Sequence, residues 1–362
     1  MLRRILGTAW LLLMAAGCPG GGDREPDWTP LGGVIPGGVW AFALDARAHP
    51  HVSTYGSLVR LDGDTWLDVP SDGLKAISML SFDSTGALHA RANQGQLWRR
   101  PPGASTWERF DDGSGVQIMP VEASDGVLYM GTGVMGTGDM AQIVYREPGA
   151  STWSPTGVTY DLAHDSLVAD DDGNVWALNQ WTTAFRIHRG QSTEFPAACP
   201  SVPGSIGRHV LVAATAGTLY CAFLGYVDRN GVIGAYDVAT GRSVALNDGS
   251  CRGGSVLECH EDYPAEGGYV SQVGRTAAGD FYSIWAQNNG SYPYLLHLRR
   301  GSSVWEQAAD LGTPWLAGNG GLAFMLRGER VHLYSSQFTG SFNPGDGSVD
   351  PGNFFGYVYP PF

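Results

Sequence analysis

His49 and His51, two residues apart, are the first pair in this chain whose types and spacing could do chemistry. In a strand they would share one face, a geometry compatible with a metal ion. Pro50 between them favours an edge strand, and no third ligand is identifiable in the sequence, so solvated edge histidines are expected. Asp170-Asp171-Asp172-Gly173-Asn174 offers the oxygen ligands calcium prefers. Its acids are adjacent, their side chains diverge, and the register is not that of an EF-hand loop. A turn held by carboxylate-to-backbone hydrogen bonds is expected there. Asp346 and Asp350 form a second, weaker calcium pattern.

Gly131-Thr-Gly133-Val-Met-Gly136 matches the dinucleotide fingerprint. That chemistry needs a helix opening at the last glycine, whose N-terminus binds pyrophosphate. Here Gln142-Ile-Val-Tyr-Arg146 follows, a strand pattern, so an inter-strand loop is expected. The chain holds no Gly-x-Ser-x-Gly, no His-Glu-x-x-His and no nucleophile with an evident base. No catalytic residue, metal or cofactor is assigned.

The elements behind these residues are short strands. One unit recurs: a turn, a glycine, an apolar strand, a loop, another strand and a small-polar-Trp strand. Asp83-Ser-Thr-Gly86-Ala-Leu-His-Ala, Gly95-Gln-Leu-Trp-Arg-Arg and Ser105-Thr-Trp107 form the clearest copy. Further copies begin at Gly126, Gly173, Gly217, Gly279 and Gly321. Period-two alternation punctuated by Gly, Asp and Asn indicates half-buried antiparallel strands joined by tight turns. The last strand of each unit is marked by Trp28, Trp66, Trp107, Trp153, Phe195, Val244 and Trp305. Their spacing fits four-stranded propeller blades, which repeat at roughly 40–45 residues. The fold expected is all-β, a single seven-bladed β-propeller, with six or eight blades as alternatives and a β-sandwich pair as the rival architecture. Asp27-Trp28-Thr-Pro-Leu31 reads as a fourth strand without preceding partners. The last unit, with strands near Trp315, Gly321–Arg327 and Val331–Ser335, lacks its Trp strand. An N-terminal strand closing the last blade would complete both and remove exposed sheet edges. Trp66, Trp107, Trp153 and Trp305 are therefore read as packing between blades.

Three regions divide the chain: a signal peptide over 1–17, a flexible tether over 18–26 and the propeller over 27–362. Arg3 and Arg4 precede an apolar run, Ile5–Ala16, too short for a hydrocarbon core of roughly 30 Å but suited to secretion. Pro19–Pro26 is rich in Gly and Pro and has nothing strongly apolar to bury. Net charge is −13 and falls to −15 when the leader, with two arginines and no acid, is removed. Such a surface repels nucleic acid and anionic lipid head groups. Of five cysteines, Cys18 stands apart, and Cys199, Cys221, Cys251 and Cys259 make an even set for an oxidising compartment. Cys199–Cys221 and Cys251–Cys259 are the favoured pairs, and paired C-x₂-C zinc knuckles are absent.

Ala15-Ala16-Gly17-Cys18 resembles the lipobox of bacterial lipoproteins, with Ala15 where leucine is usual. The resemblance implies cleavage before Cys18 and its lipidation. Pro19, in place of the aspartate that retains lipoproteins at the inner membrane, implies the outer membrane or cell surface. The repeats resemble the broad propeller superfamily with Asp-box, NHL, Kelch-like and tectonin-like units. Gly103-Ala-Ser-Thr-Trp107 and Gly149-Ala-Ser-Thr-Trp153 keep the Asp-box tryptophan and lack its aspartate. Tyr236-Asp-Val-Ala-Thr-Gly241 resembles the strand-turn of quinoprotein-like propellers in one blade only. Propeller sialidases use three arginines at the central channel, and propeller lyases use histidine with a divalent ion. His89, His188, His209, His297 and His332 are the histidines available for the latter.

Propellers usually bind at the face carrying the second-to-third-strand loops and the inter-blade connections, because rigid blades tolerate variable loops. Trp181, Tyr226, Asp228, Arg229, Asn288 and Tyr292 fall in such loops, and His260 and Tyr263 in the insertion Asn247–Gly268. The insertion could instead cover a blade edge. The function expected is a monomeric, lipid-anchored, non-enzymatic binding or scaffold module for a protein or glycan. It would touch the membrane through the anchor alone. A propeller hydrolase or lyase acting on a glycan or small molecule is the alternative.

Overall fold

The computed structural model describes residues 29–36, 39–54, 57–93, 95–111, 113–133, 141–160, 167–178, 182–200, 207–225, 231–247, 251–252, 268–287, 294–310, 322–327, 330–337 and 353–359. Among these residues every regular element is a strand. β1 (Thr29–Pro36) opens the described chain. Sheet I holds β2 (Val39–Leu44), β3 (Pro50–Thr54), β4 (Leu58–Asp62) and β5 (Thr65–Val69). Sheet II holds β6 (Met79–Phe82), β7 (Leu88–Ala92), β8 (Gln96–Arg100) and β9 (Glu108–Arg109). Sheet III holds β10 (Val116–Glu122), β11 (Leu128–Thr132), β12 (Ala141–Arg146) and β13 (Ser154–Tyr160). Sheet IV holds β14 (Leu167–Ala169), β15 (Val175–Leu178), β16 (Ala184–His188) and β17 (Gln191–Phe195).

Sheet V holds β18 (Gly207–Ala214), β19 (Thr218–Gly225), β20 (Val232–Asp237) and β21 (Arg242–Ala245). Sheet VI has five strands: β22 (Cys251–Arg252), β23 (Gly268–Arg275), β24 (Phe281–Gln287), β25 (Tyr294–Leu298) and β26 (Trp305–Asp310). Sheet VII holds β27 (Leu322–Arg327), β28 (Arg330–Gln337) and β29 (Asn353–Tyr359), and β1 completes it in the order β1-β29-β28-β27. Six sheets are thus built from consecutive strands, and one joins the two ends of the chain.

Alternation explains the strands, and their position explains how much of each is buried. β10 alternates buried and half-buried side chains, while outer strands β17 and β21 are almost wholly exposed. The inner strands pack side by side around an axis: β2 on β6, β6 on β10, β10 on β14, β14 on β18, β18 on β23 and β23 on β27. β1 reaches β5 across the remaining junction. Apolar layers fill the spaces between sheets. Ile143 and Val158 meet Val175 and Ile187 between sheets III and IV, and Ala222 and Ile233 meet Phe281 and Leu296 between V and VI. Sheets that each pack on two neighbours exclude the two-layer sandwich.

The inter-sheet tryptophans behave as expected where they are described in detail. Trp107 Nε1 donates to the Pro70 carbonyl of the preceding sheet (2.9 Å), Trp153 Nε1 to Phe110 (2.7 Å) and Trp305 Nε1 to Gly231 (2.9 Å). Val244 departs from the pattern, being 59% exposed. Three residues on, Asn247 accepts from Ile233 N–H (2.6 Å) and donates to the Gly231 carbonyl (3.0 Å), both at its own sheet, as Asp111 accepts from Leu97 N–H (2.6 Å) in sheet II. These bonds satisfy backbone groups within sheet V.

Sheet VII also differs from expectation. β29 lies between β28 and β1, so the N-terminal strand pairs with Asn353–Tyr359 and not with Val331–Ser335. Trp28 and Trp315 lie outside the described residues.

Candidate functional site

The turns joining first to second strands carry a recurrent device. Asp170 Oδ1 accepts from the N–H groups of Asp172 and Asn174 (both 2.9 Å), and its Oδ2 accepts from Trp176 Nε1 (2.9 Å). The Asn174 amide donates to both oxygens. The carboxylate is saturated by its own hairpin, as a turn reading requires. Asp83 repeats the arrangement, accepting from Ala87 N–H (2.8 Å) and the Thr85 hydroxyl (2.6 Å), with His89 Nε2 3.1 Å from Oδ2. Asp45 accepts from the N–H groups of Arg47 and His49 (2.8 Å each), with His51 Nε2 3.9 Å from Oδ2. Each aspartate thus faces a His or Trp six residues later on the second strand. Gly86 and Gly173 sit in these turns with φ of 81° and 82°, which a side chain would strain.

Burial alone would raise the Asp83 carboxyl, but the hydrogen bonds from His89, Thr85 and Ala87 outweigh it and hold it well below the usual carboxylate range. Asp45 is likewise held low: burial raises it, but the two backbone N–H groups and the nearby histidines prevail. His51 is pushed the other way from a charged imidazole, down to about 4, mainly by burial.

This corrects the reading of His49 and His51. β3 lies between β2 and β4, so Pro50 begins an interior strand and His51 is buried. Pro is tolerated as the first residue of a strand. His49 sits in the preceding turn, with Nδ1 3.2 Å from Asp45 Oδ2. Among the described residues no group of three His, Cys, Asp or Glu side chains is placed to hold a metal ion.

Of the histidines considered for lyase chemistry, His89, His188, His209 and His297 belong to sheets II, IV, V and VI, and no metal-holding group forms among the described residues. His297 Nε2 lies 3.0 Å from Asp280 Oδ2, His209 Nε2 2.8 Å from the Pro200 carbonyl, and His188 Nδ1 3.2 Å from that of Gly173. Nothing is described of the His332 side chain. Several arginines lie on aromatic rings: Arg146 on Phe110 and Arg275 on Tyr220 across neighbouring sheets, Arg99 on Phe110 and Arg186 on Trp176 within one sheet.

The glycine-rich segment is also settled at its start. Gly131 and Thr132 lie in β11, Gly131 faces Ile118 and Ile143, and a strand follows at Ala141.

Cys199 and Cys221 form a disulfide that ties the segment after β17 to β19. Cys251 lies in β22, which pairs in parallel with Trp305 and Glu306 of β26. The start of the insertion therefore covers the outer edge of sheet VI. Trp181, Tyr226, Asp228, Arg229, Asn288, Tyr292, His260 and Tyr263 all lie outside the described residues, as do Cys18, Cys259, Asp346 and Asp350.

The opposite end of the ring holds a feature the sequence reading missed. A cleft of about 600 Å³ opens between sheets I and II at the turns joining first to second and third to fourth strands. Arg47, His49, His51, Arg60, Arg100 and Phe82 line it. The Asp45-to-His51 offset, identical to Asp83-to-His89, was the signal that could have located it.

No protein-family model and no curated protein matches the chain. Solved structures do. YCF48 bound to D1 peptide is 12% identical, with 93% of this chain and 97% of that one covered and a TM-score of 0.54. The fold is a β-propeller. The WD40 β-propeller domain of Doa1 is similar at 14% identity over 90% of this chain and 95% of that one, with a TM-score of 0.53. The extracellular domain of a hybrid two-component system from B. thetaiotaomicron gives 11% identity and a TM-score of 0.56. The match covers 91% of this propeller but only 39% of that longer chain.

Proposed function

We propose that this propeller is an exported, lipid-anchored bacterial module that binds or scaffolds a protein or glycan without catalysing a reaction. The lipobox-like Ala15–Cys18 supports anchoring at the outer membrane or cell surface. The Cys199–Cys221 disulfide supports an oxidising compartment. We read the seven sheets as seven blades of one monomeric ring.

The binding reading is carried by one observation. The buried carboxylates Asp83 and Asp170 are saturated by their own turns, so these blades use their ionisable groups to hold hairpins. A frame of that kind is suited to presenting variable loops. β15, β19 and β24 end, and β16, β20 and β25 begin, on one side of the ring, and Trp181, Tyr226, Asp228, Arg229, Asn288 and Tyr292 fall in those connections. His260 and Tyr263 belong to the insertion Asn247–Gly268. YCF48, a propeller of this fold, carries a bound peptide, which makes a peptide partner a concrete expectation here.

The test is the mature chain applied to peptide and glycan arrays, with Trp181→Ala and Tyr226→Ala in parallel. Saturable binding lost in both variants is expected. Silence on both arrays, or turnover of glycoside substrates, would overturn the reading.

A further inference from the structure

The cleft between sheets I and II differs in chemistry from the rest of this acidic protein. The chain has 35 acidic against 22 basic residues, yet two arginines of this cleft are without a carboxylate. Arg47, in the first turn of sheet I, and Arg100, at the end of β8, form no ion pair among the described residues. Arg100 Nε donates to the Ala104 carbonyl (2.7 Å), which fixes the guanidinium and leaves its outer N–H groups for a ligand. Arg60 is different, since Asp62 holds it at 3.2 Å.

Phe82, Pro101 and the 42% exposed Leu67 add apolar surface to the same cleft. Such surface suits the C–H face of a sugar ring. His51 is 8% exposed and packs edge-on against Phe82 at 4.9 Å. Its Nδ1 is buried without a hydrogen-bond partner, and its Nε2 is too far from Asp45 Oδ2 for a direct bond. A neutral imidazole facing a carboxylate across that gap can hold a hydroxyl, which donates to one and bonds the other. Asp62 and Asp68 also line the cleft. They accept from hydroxyls but repel multiply charged anions such as phosphate clusters. The volume lies within the roughly 300–1,000 Å³ of small-molecule sites.

We propose that this cleft binds a uronic acid residue of an acidic glycan, with Arg47 and Arg100 on its carboxylate and the Asp45–His51 gap on a hydroxyl. Arginine forks match a carboxylate in shape as well as charge. The proposal deepens the glycan half of the binding reading but places the ligand on the face opposite the loops.

The experiment is titration calorimetry of the mature chain with a glucuronate-containing oligosaccharide and with its neutral glucose counterpart. Binding of the uronide, at least about tenfold weaker for the neutral sugar, is expected. Arg47→Gln, an exposed substitution that leaves the fold intact, should weaken the uronide about tenfold, and Arg47→Gln with Arg100→Gln should abolish detectable binding. His51→Gln should weaken both sugars alike. No uronide binding, equal binding of both sugars, or uronide binding unchanged by the arginine substitutions would overturn the proposal. Trp181→Ala with Tyr226→Ala separates the two readings: array ligands lost with uronide binding retained would uphold the cleft, and array binding without any uronide binding would sink the cleft alone.

Discussion

Thr29 stands opposite Val358 in an antiparallel pair, so the two extremities of the described chain are neighbours in one sheet. Every other sheet is built from a consecutive run of strands, whereas sheet VII depends on this pairing of the first strand with the last. Closing a loop that spans nearly the whole chain costs only modestly more entropy than closing a shorter one, because the cost grows with the logarithm of length. The gain is a ring in which the first and last sheets lie side by side, β1 against β5.

The Cys199–Cys221 disulfide should be a measurable part of stability. The cysteines are 22 residues apart, and a loop of that size constrains the unfolded chain by about 3 kcal/mol. Urea unfolding with and without reductant checks this. Reductant should lower the midpoint for the native sequence, and Cys199→Ala with Cys221→Ala should remove most of that response.

Asp170 and Asp171 are adjacent and should behave differently. Asp170→Ala leaves the buried Trp176 N–H and two backbone N–H groups without their acceptor, a loss of about 3 kcal/mol. Asp171 is exposed, so Asp171→Ala should change stability by less than about 0.5 kcal/mol. Chemical denaturation of the two variants separates them.

His51 predicts an acid slope. Burial is the main cause of its fall to about 4; Asp45 pulls it up, while Arg60, His49 and Arg100 push it down. The unfolded chain takes up the proton near pH 6.5, so the folded state loses stability as pH falls from there and stops losing it near pH 4. The contribution is roughly 3 kcal/mol, complete above pH 6.5. His51→Gln should flatten the stability profile across that window, measured by urea unfolding at stepped pH.

The repeat was legible because each unit announces itself locally. Gly86 and Gly173 mark turns that need a positive φ, and the aspartate three residues before each supplies the acceptor that holds the turn. Trp107 and Trp153 were legible as inter-sheet residues for the same reason of periodicity. Other features depend on tertiary context. Pro50 suggested an edge, yet it begins an interior strand, and nothing local distinguishes the two. Val244 sits where an apolar anchor is expected, yet it is exposed. β29 follows a Gly, Asp and Pro-rich stretch that hid its role between β28 and β1. The cleft arises between sheets, so Arg47 and Arg100 have no pattern in common along the chain.

Lipidation is tested at Cys18. When the full chain is expressed in a bacterium that processes lipoproteins, labelled palmitate should enter the protein, which should sediment with membranes. Cys18→Ser should lose the label and release the chain into the soluble fraction. Labelling that survives the substitution would contradict the anchor.

Ring closure is the claim beneath all the others, and a cross-link reads it directly. Thr29 and Val358 face each other across neighbouring strands, where antiparallel Cα atoms lie about 4.5–5.5 Å apart, within reach of a disulfide. Thr29→Cys with Val358→Cys, expressed in an oxidising compartment, should give a peptide joined at those two positions in mass spectrometry, with a raised melting temperature. Two free thiols at those positions in a folded protein would contradict the closed ring.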